Sequence, residues 1–195
     1  MRLLPGAFAA ALLMGAPAAW ATSAPPPSRE SMQSRDAIDA LDPFLGAWEG
    51  EEVYKFRDET VRTRVYRQVI RPSRSDFLLI TDYRGDEPNF SSLGVLTFSP
   101  GDGHYRIMLP GARLLTNEPR TDLTVEIAHP DAATLIWEEP GYEGGRVRKT
   151  ATVTGDTWIE VHENFNVDGS LFIRTEVRLT RVAVRRWVVP EELTK

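Results

Sequence analysis

The chain has 195 residues, 42% of them apolar and 26% charged, enough for one domain with a core of its own. It contains no cysteine, which excludes disulfides, thiol catalysis and a lipid attached through an N-terminal cysteine. A formal charge of −5 argues against a nucleic-acid or anionic-membrane binder.

Met1-Arg2 supplies a positive start, Leu3 to Trp20 carries no charge, and Ala19-Trp20-Ala21 fits a small-x-small cleavage site. Residues 1–21 are therefore expected to be a signal peptide, with Thr22 as the mature N-terminus. A membrane anchor is the competing reading, because about 18 apolar residues just span a bilayer. Pro5, Gly6, Gly15 and Pro17 interrupt the run and favour cleavage, leaving no stable anchor. Taking Arg2 from the 23 basic residues leaves 22 against 28 acidic ones, a net of −6. The expected location is the periplasm or the exterior.

Residues 22–33 are proline-rich at their start and read as an extended tether. Ser34 to Leu41 reads as a short helix capped by Ser34 and stopped near Pro43, with Ala37, Ile38 and Leu41 on one side, able to lie across the end of something apolar. Ten strands follow: Trp48–Phe56, Thr60–Arg71, Phe77–Arg84, Ser92–Phe98, Tyr105–Leu109, Asp122–Ala128, Thr134–Glu139, Arg146–Val153, Thr157–Val167 and Ser170–Val184. Short turn sequences such as Gly155-Asp156 and Asp168-Gly169 separate them. No crossover helix intervenes, so the strands pair antiparallel. Closure would remove both exposed edges, and sequential hairpins suit an up-and-down barrel. The expected fold is all-β: a ten-stranded antiparallel barrel over residues 34–187, with a C-terminal tail over 188–195.

Alternation sets the inner face. Leu123, Val125 and Ile127 share one side; Leu171, Ile173, Val177 and Leu179 share another, with Thr175 and Arg181 in step. In the ninth strand Ile159, Val161 and Phe165 are taken as inward, which puts Trp158, Glu160, His162 and Asn164 on the wet face. Several charged groups then fall on inward parity: Arg67 with Val65 and Val69, Glu139 with Leu135 and Trp137, Lys149 with Val147 and Ala151, Glu163 with Ile159 and Val161. Burying an unpaired charge is costly, so these groups must pair with each other or with something bound. One reading is an apolar cup lined by Trp137, Phe165 and Ile173, with Arg67, Glu139, Lys149, Glu163 and Thr175 as its polar patch. The other is a bulge that shifts the parity, or an internal ion-pair network without a ligand.

Phe44-Leu45-Gly46-Ala47-Trp48-Glu49-Gly50-Glu51, entering the first strand after a helix, resembles the opening of lipocalin-like barrels, the nitrobindin-like proteins in particular. The strand count and the closing Leu179-Thr180-Arg181-Val182 are similar to that group as well. The resemblance implies that Gly46 turns the chain into the wall, that Trp48 seals one end, and that Arg181 stacks on its indole as a structural lock. Nitrobindins bind haem through a histidine of the last strand; Ser170 to Val184 holds none, so haem is not expected here.

The histidines, His104, His129 and His162, stand too far apart in sequence for a compact zinc motif, and Asp102-Gly103-His104 reads as turn chemistry rather than a calcium loop. No metal is expected. No Gly-x-Ser-x-Gly elbow or phosphate loop is present either. The arginines between Arg57 and Arg74 read as solvated strand faces paired with Glu49 and Glu51. The functional expectation is a non-enzymatic barrel binding a small, partly apolar molecule. The alternatives are a cofactor-free enzyme using Glu139 or Glu163 as acid and base, and an envelope scaffold docking partners through Trp158 and Phe172.

Overall fold

The computed structural model describes residues 29–85, 89–112 and 121–184. Residues 1–21, expected to be a signal peptide, residues 22–28 of the expected tether and the expected tail over 188–195 lie outside the described residues.

The ten strands are β1 (Gly46–Phe56), β2 (Glu59–Ile70), β3 (Phe77–Arg84), β4 (Asn89–Ser99), β5 (His104–Ala112), β6 (Thr121–Asp131), β7 (Thr134–Pro140), β8 (Arg146–Thr154), β9 (Thr157–Phe165) and β10 (Leu171–Val182). Each pairs antiparallel with its sequence neighbours, and β10 returns to β1, so the wall closes as an up-and-down barrel. The positions match the short alternating runs and turn residues of the sequence.

The helix α1 spans Arg29–Asp39 and so begins five residues before Ser34. Ser34 lies buried inside it rather than capping it, and the stretch over 29–33 expected as tether is helical. The reason is local: Arg-Glu-Ser-Met-Gln contains no proline or glycine, so nothing stops the helix from reaching back toward Pro27. Ile38 and Leu41 are fully buried, and the Tyr105 hydroxyl donates to Ala37 O at 2.8 Å. The helix thus closes the end of the barrel at which β1 begins and β10 ends.

At that end a 3-10 turn, Asp42–Phe44, leads into β1. Trp48 is fully buried and donates its indole N–H to Phe44 O at 3.1 Å. Trp158 stands edge-on to both Phe44 and Trp48, at centroid distances of 5.3 and 5.5 Å. The Arg181 guanidinium carbon lies 4.1 Å from the centre of the Trp48 ring. Its nitrogens donate to Leu45 O, to Pro43 O at 3.0 Å and to Asp156 Oδ1 at 3.0 Å, so one side chain satisfies the carbonyls of the incoming turn. Gly46 has φ +128°, and a Cβ there would meet Arg181 Nη1 at 2.7 Å. Glycine is required by conformation and by contact.

β9 faces the opposite way from the sequence expectation. Trp158, Glu160 and His162 are buried inside, while Ile159, Val161, Glu163 and Phe165 take the outer phase. Glu163 lies in register with Arg148 and Arg174, both exposed, and Phe165 stacks against Arg146 at 4.5 Å on the outside. Neither Glu163 nor Phe165 lines the interior, and Trp158 is no surface anchor. β-Branched residues serve a half-exposed strand face as well as a core, so Ile159 and Val161 did not settle the phase.

Candidate functional site

Alternation and register bring one row of inner side chains around the wall: Tyr54 on β1, Thr175 on β10, His162 on β9, Lys149 on β8 and Trp137 on β7 are successive cross-strand partners. Deeper in the barrel, Glu160 and Val177 pair next to Glu52, and Arg67 pairs with Asp82.

Six of these inner side chains form a closed circuit. Arg67 donates to Asp82 through Nε and Nη2, at 2.7 and 3.0 Å, and through Nη1 to Glu160. Glu160 Oε1 lies 2.5 Å from His162 Nε2, and His162 Nδ1 stands 4.0 Å from Glu52. Glu52 accepts from Arg84, whose second nitrogen is 3.8 Å from Asp82 and completes the loop. Two guanidiniums and one imidazole alternate with three carboxylates, so each charge is flanked by its opposite or by His162. The Trp158 indole adds a donor to Glu160 Oε2 at 3.1 Å, and the Arg67 guanidinium stacks on the same ring at 4.7 Å.

Pairing overcomes burial in this circuit. Desolvation opposes ionisation of Glu160, but Arg67 and then His162 outweigh it and hold its carboxyl well below the usual range. Desolvation likewise opposes the charge of Arg67, and Asp82 and Glu160 more than restore it, raising its pKa. An ionised carboxylate only accepts, so Nε2 of His162 carries a proton toward Glu160. Every member of the circuit has a partner of the opposite kind, and together they form a paired floor.

Toward the end opposite α1 lies a second cluster. Glu139 accepts from Trp137 Nε1 at 2.7 Å and from Lys149 Nζ at 2.8 Å. The Lys149 and Glu139 side chains are 21% and 13% exposed, whereas those of Arg67, Asp82 and Glu160 are 6%, 8% and 3% exposed. Thr175, beside His162 in the ladder, is buried, and among the described residues its hydroxyl has no hydrogen-bond partner.

Of the residues expected to line a cup, Arg67, Trp137, Glu139, Lys149, Ile173 and Thr175 share the inner face. Arg67 sits in the ion-pair circuit; Trp137, Glu139, Lys149 and Thr175 stand nearer the end opposite α1. Glu52, Asp82, Arg84, Glu160 and His162 were not anticipated. Their signal was available in part: an inward Arg67 demands a carboxylate, and Asp82 and Arg84 alternate in phase with Leu78 and Ile80. Among the described residues no three histidine or acidic side chains are grouped to hold a metal ion. Of the arginines expected on solvated faces, Arg62 pairs with Glu51 at 2.9 Å and Arg64 with Glu49 at 3.3 Å, whereas Arg67 is buried and Arg71 pairs with Asp39.

The fold has a solved counterpart. A crystal structure of a protein of unknown function from the DUF3598 family of Nostoc punctiforme superposes with a TM-score of 0.51 at 13% identity, covering 73% of this chain and 49% of that one. The chain therefore spans about half the length of the structure it matches. At that identity the likeness shows the fold alone. No family model and no curated protein matches the sequence.

Proposed function

We propose that the protein is an exported, calycin-like barrel that holds one small, partly apolar molecule in the open half of its interior. The observation that carries this reading is the Thr175 hydroxyl, buried and, among the described residues, without a partner, in the same cross-strand row as Lys149 and Trp137 of the Lys149–Glu139–Trp137 cluster. A buried hydroxyl left unpaired costs about 1–3 kcal/mol, and a bound polar group removes that cost. Trp137 and Ile173 offer apolar surface at the same level, and the paired floor below keeps the molecule from going deeper. Small barrels of this kind hold one ligand when side chains do not fill them.

The calycin-like assignment rests on ten antiparallel strands, a capping helix and the Trp48–Arg181 stack. Export to the periplasm or the exterior rests on the signal-like residues 1–21. Haem has no place in this reading, since the inward histidine commits Nε2 to Glu160. Nor has nucleic acid, given the acidic balance of the mature chain.

The test is native mass spectrometry of the mature protein, followed by a thermal-shift screen of small amphiphiles. A co-purifying or stabilising molecule whose binding weakens at least fivefold in Trp137→Ala and Lys149→Met is expected (about 1 kcal/mol or more). Binding indifferent to both substitutions refutes the cup.

A further inference from the structure

β1 and β10 part company before either strand ends. Their last cross-strand pair is Tyr54 with Thr175, yet β1 runs on to Phe56, paired with β2, and β10 starts at Leu171, paired with β9. Continued register would set Lys55 against Arg174; instead the wall splits there. A shallow groove of about 340 Å³ occupies the split, and Lys55, Tyr54, Val53, Leu171, Phe172 and Arg174 line it. Phe172 falls where the β10 register skips, on the outer phase that it shares with Arg174 and Glu176.

Two properties of the groove are unusual for a barrel surface. Its floor is apolar, with Leu171 and Phe172 53% and 57% exposed. Its flanking cations, Lys55 and Arg174, form no ion pair among the described residues, although arginines elsewhere on the wall, such as Arg62, Arg146 and Arg178, do. The one carboxylate lining the groove, Glu176, is engaged by Arg178 at 3.0 Å, and Glu163, opposite Arg174 in the ladder, makes no ion pair with it.

We propose that this seam groove is a second site, bordering the interior cup through Ile173 and Tyr54, that binds an organic anion with an apolar body. The anionic head sits between Lys55 and Arg174, and the body lies on Leu171 and Phe172. A charge-assisted contact to each cation supplies orientation, and the volume suits a small amphiphile.

The test uses 1-anilinonaphthalene-8-sulfonate, an anion with an aromatic body, titrated by fluorescence into the mature protein. Saturable binding at one site is expected, weakened roughly tenfold for each cation removed in Lys55→Glu/Arg174→Glu. The uncharged N-phenyl-1-naphthylamine should change less than about twofold in the same variant. Both residues are exposed, so the melting temperature should hold; Lys55→Gln/Arg174→Gln serves if charge reversal disturbs folding. Absence of saturable binding, or equal affinity in wild type and variant, overturns the groove. Affinity lost instead in Trp137→Ala places the dye in the cup, which overturns this proposal while leaving the interior reading intact.

Discussion

Arg67 and Glu160, 93 positions apart in the chain, meet as a buried ion pair across two intervening strands, β1 and β10. The contact spans the interior rather than running along the wall, so it ties β2 to β9 independently of the backbone ladder.

Breaking that pair from one side strands a charge. Arg67→Met is expected to cost about 3–5 kcal/mol, because Asp82 and Glu160 both lose their principal donor. The triple change Arg67→Met, Asp82→Leu, Glu160→Leu should cost less than the single one, since apolar groups then fill the same space without stranded ions. Urea unfolding of the two proteins checks the order; a triple variant weaker than the single would show that the circuit itself stabilises the fold.

The acid limb follows from the same carboxylate. Glu160 has its folded pKa held below the unfolded value of about 4.3, so it contributes stability above that value and loses it as pH falls toward the folded pKa. Stability should therefore be near its plateau above about pH 5 and fall steeply below about pH 4. Glu160→Gln lowers the plateau and flattens part of that slope. Unfolding curves from pH 7 to pH 3 measure both, and an unchanged acid slope in the variant would refute the assignment.

At the helix-covered end, Trp48→Ala should cost about 3–5 kcal/mol as a core truncation. Arg181→Ala removes the stack, worth about 0.5–2 kcal/mol, together with the bonds to Pro43 O and Leu45 O. The double variant should lose less than the sum, because the two residues touch. Additive losses in a thermal-denaturation cycle would mean that the stack carries no energy.

Gly50 offers a sharper backbone test. A Cβ on it would stand 2.0 Å from Arg178 O and 2.9 Å from Leu179 Cα, atoms of the backbone that cannot swing aside. Gly50→Ala should destabilise by on the order of 1–3 kcal/mol or more, through a forced shift of β1 against β10. Glu163→Gln, on the outer face, should stay within about 0.5 kcal/mol of wild type. Chemical denaturation of the two side by side separates a wall position from a surface one.

Much of the architecture was legible because strand length, turn residues and period two all point to the same elements. The roles of the Gly46–Trp48 opening and of Arg181 came from the resemblance to lipocalin-like barrels, whose opening and closing motifs this chain carries. The phase of β9 was not legible. A period-two strand offers two equivalent faces, and hydrophobicity chooses between them only when the inner face is the more apolar one. Here Trp158, Glu160 and His162 are buried because Arg67, Arg84 and Glu52 on other strands complement them. That complement is non-local, and no single segment announces it. The start of α1 was missed for the opposite reason: a plausible cap at Ser34 outweighed a helix-permissive run before it.

The pairing of Ala47 with Val182 and of Trp48 with Arg181 has a consequence for how the molecule comes into being. The first strand cannot find its final neighbour until the last has left the ribosome and, on the export reading, crossed the membrane. Until then the nascent sheet presents two raw borders, the kind of surface that recruits stray chains. Folding is thereby tied to full-length synthesis: a product lacking the tenth strand is not a slightly weaker barrel but a ribbon with both hems open.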